Sequence, residues 1–293
     1  MKEFEGKTAV VTGGASGIGL ALAERFADAR MNVVLADIEE DALERAVKKL
    51  QERQAQVLGV VTNTMVLESV ASMAEQAISE FGKVHILCNN AGVASRGGTA
   101  GSGVWEVANT DWDWVLGVNF YGVLYGLQAF VPHMLEHGEP GHIVNTASLA
   151  GLMPAGGTYG VSKHGVLCLT ETLYNDLKAR DAAIGASVLC PGFVKTKIIQ
   201  SERNRPVELA SGGDGAADDE VAPVQAMIDQ GKDPADIANT VFKSIEEDRL
   251  YILPHPAWDD TVRSRVEHVL ARGGPAAMNL EDMMKRSAAG EQF

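Results

Sequence analysis

The chain has 293 residues and a formal net charge of −14, and no Lys/Arg run offsets that charge, which weighs against nucleic-acid or acidic-membrane partners. Its 46% hydrophobic and 22% charged residues make a globular composition, and the length suits one parallel α/β domain of ~250 residues with additions. The start MKEFEGKTAVVTGG holds no signal-peptide core, and no apolar run approaches the ~18 residues of a membrane span, so a cytoplasmic protein acting on a small molecule is expected.

Short β-branched runs recur in order: TAVVTG (8–13), NVVLAD (32–37), QVLGVV (56–61), VHILCNN (84–90), HIVNTAS (142–148) and ASVLCPG (186–192). They are continuously apolar, as strands covered on both faces should be. Between them lie amphipathic segments, including a long run from Trp112 to His137 and YGVSKHGVLCLTETLYNDLKARD from Tyr159. This alternation predicts a parallel sheet. Cys88, Cys168 and Cys190 each sit in an apolar stretch and read as buried free thiols.

After Gly192 the rhythm loosens. Residues 200–232 are polar and rich in Gly, Ala and Asp, which predicts a mobile loop or lid, with the substrate loop spanning about 197–232. Asp233 and Pro234 then open a helix, LYILPH (250–255) reads as a strand, and WDDTVRSRVEHVLARGG is amphipathic before a polar tail. A main domain over 1–256 and a C-terminal helical extension over 257–293 are expected.

TGGASGIG (12–19) follows the first strand and opens the first helix. Gly13, Gly17 and Gly19 allow a tight turn and close approach to a pyrophosphate, whose charge the helix N-terminus meets. Asp37 ends the second strand 18 residues after Gly19, where an acid can bond the ribose hydroxyls of an adenosine. It would repel a 2′-phosphate, and no Arg or Lys follows it in DIEED, so NAD is favoured over NADP. Asp37 can equally cap the next helix, and an S-adenosylmethionine-dependent methyltransferase shares this glycine loop and acid. Downstream residues must discriminate.

NNAG (89–92), NTAS (145–148) and PGFVKT (191–196) end strands four, five and six, so all three meet on the rim where an open parallel sheet binds ligands. Tyr159 and Lys163 begin the helix after strand five and can project to that rim. Tyr174 and Lys178 share their spacing but lie about four turns further along.

These residues resemble the short-chain dehydrogenase/reductase family over roughly residues 6–255. The resemblance rests on T-G-x-x-x-G-x-G, N-N-A-G, Asn119 in GVNFYG, Ser148, Y-x-x-x-K at Tyr159 and Lys163, and the turn at Pro191 and Gly192. It implies a doubly wound Rossmann-type α/β sheet of about seven strands with helices on both faces, and it leaves the methyltransferase without a use for Ser148, Tyr159 and Lys163. It further implies NAD contacts at Gly13, Ser16, Gly17, Ile18, Gly19, Asp37, Ile38, Asn63, Thr64, Asn90, Ala91, Gly92, Tyr159, Lys163, Pro191, Gly192, Val194 and Thr196.

The implied chemistry is hydride transfer between a secondary alcohol and nicotinamide. Tyr159 moves the alcohol proton, and Lys163 with the positive nicotinamide ring lowers its pKa from ~10. Ser148 bonds the substrate oxygen, Lys163 also holds the nicotinamide ribose, and Asn119 anchors a water. Two departures stand out: Asn63 replaces the family's usual Asp after strand three, and Ser148 lies eleven residues before Tyr159, closer than usual. An Asn oxygen can still accept the adenine amino group, and the glycine-rich LAGLMPAGG between Ser148 and Thr158 can absorb the shortening.

The loops after NNAG and Ser148, with FVKTKII, should form the pocket, and Trp105, Met153, Phe193 and Ile198 should line it. An apolar or aromatic alcohol or ketone fits that lining better than a sugar. NTASLAGLMP, NRP (204–206) and LYILPH resemble the subgroup that includes alcohol dehydrogenases of lignin-type aryl ethers. Steroid or 3-oxoacyl reduction, or a non-catalytic dinucleotide sensor, are the alternatives. HMLEH (133–137) matches a zinc-peptidase pattern, but His133 and His137 end a helix away from the rim, so no metal is expected. The family resemblance implies a homodimer or homotetramer through the helices near 112–137 and 159–180.

Overall fold

The β-branched runs become seven parallel strands: β1 (Thr8–Thr12), β2 (Asn32–Asp37), β3 (Val57–Val61), β4 (Ile86–Asn89), β5 (Gly141–Thr146), β6 (Ile184–Leu189) and β7 (Tyr251–Ile252). They lie in the order β3-β2-β1-β4-β5-β6-β7. The computed structural model describes residues 1–95, 103–153, 157–210 and 218–275. Among the described residues the helices are α1 (Gly17–Asp28), α2 (Glu40–Gln51), α3 (Leu67–Phe81), α4 (Asn109–Leu116), α5 (Gly122–His137), α6 (Gly157–Ala179), α7 (Asp218–Asp229), α8 (Pro234–Glu246) and α9 (Asp259–Leu270). The C-terminal residues 276–293 fall outside this description.

Side-chain alternation explains the two layers. Ala9 and Val11 of β1 face a core built with Leu22 and Phe26 of α1, Leu43 and Leu50 of α2, and Ile237 and Val241 of α8. Val10, one residue between them, faces the opposite core with Met73 of α3, Phe130 and Met134 of α5, and Leu177 of α6. The central strands β1, β4 and β5 are therefore buried at every position, whereas the edge strand β3 exposes Gly59 and Val61. Strand order reverses between β1 and β4, which opens a crevice beyond their carboxyl ends.

Four expectations change. Asn109–His137 forms 29 continuous helical residues through a π turn at Gly117–Tyr121, long and apolar enough to match a membrane span by length and composition despite lacking an uninterrupted apolar run. Its apolar side chains Trp114, Val123, Phe130 and Met134 are instead buried within the protein.

The segment expected as a mobile loop carries two 3₁₀ turns, Ile198–Asn204 and Val207–Leu209, and then α7, whose Met227 and Ile228 are buried; residues 211–217 lie outside the description. Polar composition hid them because short turns held by side-chain bonds need little apolar surface. Cys168 is exposed on α6, unlike the buried Cys88 and Cys190, because one face of this helix points outward. The seventh strand is only Tyr251–Ile252. As its sequence predicts, α8 starts with Pro234 behind an Asp233 cap that accepts from Ala235 N at 3.1 Å.

Candidate active site

The crevice is stitched across its floor by Thr12. Its hydroxyl accepts from Asn90 N at 3.0 Å and Ala91 N at 3.1 Å, while Asn90 Nδ2 donates to Thr12 O at 3.0 Å. Gly13 sits beside this seam at φ +62°, and a Cβ there would lie 2.9 Å from Ala91 Cα. At Gly19 a Cβ would lie 2.0 Å from Gly13 O, so only glycine lets the turn close onto α1. Ser16 is the extended residue before Gly17 and Ile18 begin α1.

Asp37 leaves β2 into the same crevice. Its Oδ2 accepts from Ala15 N at 3.0 Å and its Oδ1 from Glu39 N at 3.1 Å, so it braces the glycine turn and the start of α2 together. Burial pushes its carboxyl above the usual range, partly countered by those N–H groups. Ile38 stands beside it, 42% exposed. Asn63 Oδ1 accepts from Met65 N at 3.0 Å, a local turn that leaves that oxygen a second acceptor direction, and Thr64 is buried next to Gly122.

Beyond β5, Ser148 and α6 bring the reactive groups together. Ser148 Oγ accepts from Ala150 N at 3.1 Å, opening the 3₁₀ turn Leu149–Leu152, and its hydroxyl lies near enough to the Tyr159 phenol to favour the phenolate. The short connection folds back because Gly151 packs on the Lys163 backbone, where a Cβ would lie 2.7 Å from Lys163 C; residues 154–156 lie outside the description.

Lys163 is 2% exposed, donates from Nζ to Thr146 O at 2.9 Å, and lies 5.6 Å from the Tyr159 ring centroid. Burial pushes its ammonium down to about 8. For Tyr159 the direction differs from the sequence expectation: burial raises its phenol, and the Ser148 hydroxyl only partly offsets this.

Asn119 lies fully buried in the π turn with its amide engaged. Oδ1 accepts from Val93 N at 2.8 Å, and Nδ2 donates to Val93 O at 2.9 Å and Ser162 Oγ at 3.0 Å. The side chain thereby fixes the end of the N-N-A-G turn, and Gly92 lies between Lys163 Nζ and Asn119 Oδ1.

The turn after β6 closes the rim. Pro191 O accepts from Ser148 Oγ at 3.4 Å, Val194 is buried, and Thr196 reaches Gly17 of the glycine turn. Tyr174 and Lys178 keep a similar ring-to-ammonium separation of 5.3 Å, but Lys178 bonds Asp248 at the far end of α6.

A family model described as short chain dehydrogenase matches residues 7–206. The chain belongs to the short-chain dehydrogenase/reductase family. It is an oxidoreductase. A CLA biosynthesis dehydrogenase/reductase of Lactiplantibacillus plantarum is 33% identical over 291 residues, covering 97% of this chain and 100% of its own. A C alpha-dehydrogenase of Sphingobium sp. (strain NBRC 103272 / SYK-6) is 32% identical, covering 99% of this chain and 93% of its own, in keeping with the subgroup resemblance. The crystal structure of a short chain dehydrogenase/reductase from Burkholderia phymatum, in complex with NAD, is 44% identical with a TM-score of 0.88 and covers 95% of this chain and 99% of its own.

Within this short-chain dehydrogenase/reductase, Met153 and Phe193 join Leu149, Met227 and Trp258 in an apolar cluster next to Ser148. Ile198 is partly buried at the start of the following turn. Trp105 departs from expectation: it is 84% exposed and packs over Gly103, with residues 96–102 outside the description. Met227 and Trp258 were missed because long sequence separations hide them. Among the described residues no His/Cys/Asp/Glu group could hold a metal. In HMLEH, His133 Nε2 accepts from Val84 N and His137 Nε2 donates to Val84 O, at the opposite end of the sheet.

The sequence also gave no role to His255. It is buried, its Nδ1 accepts from Gly192 N at 3.0 Å, and its Nε2 donates to Phe193 O at 3.1 Å, so a neutral imidazole pins the turn on both sides. Burial pushes His255 and His142 each down to about 4. The unfolded chain takes up these protons near pH ~6.5, so stability is full above that pH and falls as pH drops toward about 4. The loss is expected to be on the order of 3 kcal/mol for the pair. Urea denaturation at pH 7.5 and 5.0 measures it; a His255→Gln protein with an undiminished pH slope would contradict this account.

Proposed function

We propose that this enzyme interconverts a hydrophobic or aromatic secondary alcohol and its ketone with NAD(H). The observation that carries the reading is the convergence of Ser148, Tyr159 and Lys163 at the carboxyl rim, beside a glycine turn too tight for any Cβ at Gly19. These residues fit a dinucleotide: the turn brings backbone close, Asp37 keeps acceptor capacity toward a ribose, and Lys163 has N–H groups beyond the one given to Thr146 O. NAD, when bound, supplies the hydride acceptor.

Tyr159 Oη takes the alcohol proton or returns it to the carbonyl. Ser148 Oγ orients the substrate oxygen and donates to the phenolate as it forms, while Lys163 stabilises that charge from nearby. Asn119 positions the N-N-A-G turn through Val93. The cluster of Leu149, Met153, Phe193, Met227 and Trp258 supports an apolar substrate. A cytoplasmic location and a homodimer or homotetramer through α4, α5 and α6 belong to the same reading; the outward Tyr121 and Val161 suit such a contact.

A panel of aryl and alicyclic secondary alcohols with NAD, followed as NADH absorbance, tests the reaction. The expected result is turnover of apolar alcohols, with kcat/KM at least about tenfold higher for NAD than NADP. A preference for NADP refutes the cofactor reading, and NAD binding without turnover of any alcohol marks a dinucleotide sensor instead.

A further inference from the structure

Past Asp37 lies a cavity of about 270 Å³ whose lining includes Ala15, Ser16, Glu39, Arg45, Lys197 and Arg203. It abuts the expected adenosine ribose, since the backbone N–H groups of Ala15 and Glu39, both in its wall, are the donors that hold the Asp37 carboxylate. The sequence next to Asp37 offers no cation. The fold supplies several from elsewhere: Arg45 from α2, and Lys197 and Arg203 from the segment after β6.

One carboxylate faces them. Glu39 Oε1 accepts from Arg203 Nη2 at 2.6 Å, Arg203 Nε at 3.1 Å and Asn204 Nδ2 at 2.8 Å. Burial pushes the Glu39 carboxyl up, but these bonds and the charges of Arg203 and Lys197 outweigh it and leave it below the usual range. Glu39 is also close enough for its charge to raise Asp37.

We propose that Glu39 is a second determinant of cofactor choice: by engaging Arg203 it silences a cationic cavity that would otherwise receive a ribose 2′-phosphate. This rests on the NAD reading of Asp37. Asp37 repels a 2′-phosphate directly, whereas Glu39 removes its counter-charge, so the two carboxylates act in series. Lys49 belongs to the same wall but is paired with Glu24, and Arg203 is the cation that Glu39 itself holds, so its release is what Glu39 controls.

Calorimetric titration with adenosine 2′,5′-bisphosphate and adenosine 5′-monophosphate tests this without turnover. Glu39→Gln is expected to tighten the bisphosphate about tenfold and leave the monophosphate within about twofold, which also shows that the variant folds. The NADP-to-NAD ratio of kcat/KM should rise by a similar factor, and Arg203→Met in the Glu39→Gln background should reverse both gains. An unmoved ratio in Glu39→Gln, or a gain that survives Arg203→Met, overturns the inference alone. A wild-type preference for NADP overturns both it and the cofactor reading. Inorganic phosphate provides the second arm: if it binds the wild type through Arg203 while NAD is saturating, the cavity is an independent anion site and the proposal fails.

Discussion

Tyr159→Phe is expected to lower kcat for alcohol oxidation by about 10²- to 10⁴-fold while leaving NAD affinity nearly unchanged. The substitution keeps the ring and removes only the oxygen that lies near Ser148 and would carry the proton. Its pH profile should change as well. Burial holds the phenol above its ordinary range, so the phenolate fraction, and with it wild-type oxidation, should climb as pH rises through the alkaline region. Tyr159→Phe should lose that climb. Tyr174→Phe is the matched control, because it has the same Lys spacing and a similar 5.3 Å ring contact but sits at the far end of α6. Steady-state rates from pH 7 to 10 decide the matter, and wild-type activity in Tyr159→Phe would refute the proposed mechanism.

The largest stability effect is expected at Asp111. This carboxylate is 2% exposed and lies 2.9 Å from Arg205 Nη2, whose guanidinium stacks 4.8 Å from the Trp114 ring and donates from Nε to Leu209 O at 2.7 Å. Among the described residues, Asp111→Asn leaves the buried guanidinium paired only with the partly exposed Glu202. Removing one member of such a pair costs about 3–5 kcal/mol, and we expect a value near about 3 because Glu202 compensates in part. That corresponds to a Tm lower by roughly 6–12 °C for a domain of this size. Asp111→Leu combined with Arg205→Met should recover much of the loss, since it removes both charges together. Thermal unfolding within about 1 °C of wild type for Asp111→Asn would show that the pair is not structural.

The sheet was legible because buried parallel strands write continuous apolar runs, and the candidate residues of the site could be named because they sit at fixed offsets from those runs. What escaped depends on contacts across long stretches of chain. His255 meets Gly192 from 63 residues away, and Arg203 meets Glu39 from 164 away, so neither leaves a local pattern. Asn119 was legible as a site residue, but its type and position do not reveal that Val93 and Ser162 engage its amide. Trp105 was placed in the pocket as the apolar end of the loop after N-N-A-G, yet it stands at the surface next to the residues outside the description. The absence of cations in DIEED was a sound local reading, and only folding reveals the basic residues brought there from afar.

The turn Ile198–Asn204 and the residue after it are gripped from two sides, by Glu39 through Arg203 beside the dinucleotide crevice and by Asp111 through Arg205 against Trp114. Those two arginines are separated by one residue. A substitution that reshapes the turn to admit a different alcohol therefore pulls on the adenosine end as well. On the proposed role of Glu39, variants selected for a different alcohol through this turn are expected to shift in coenzyme preference too, and the two traits should be measured together.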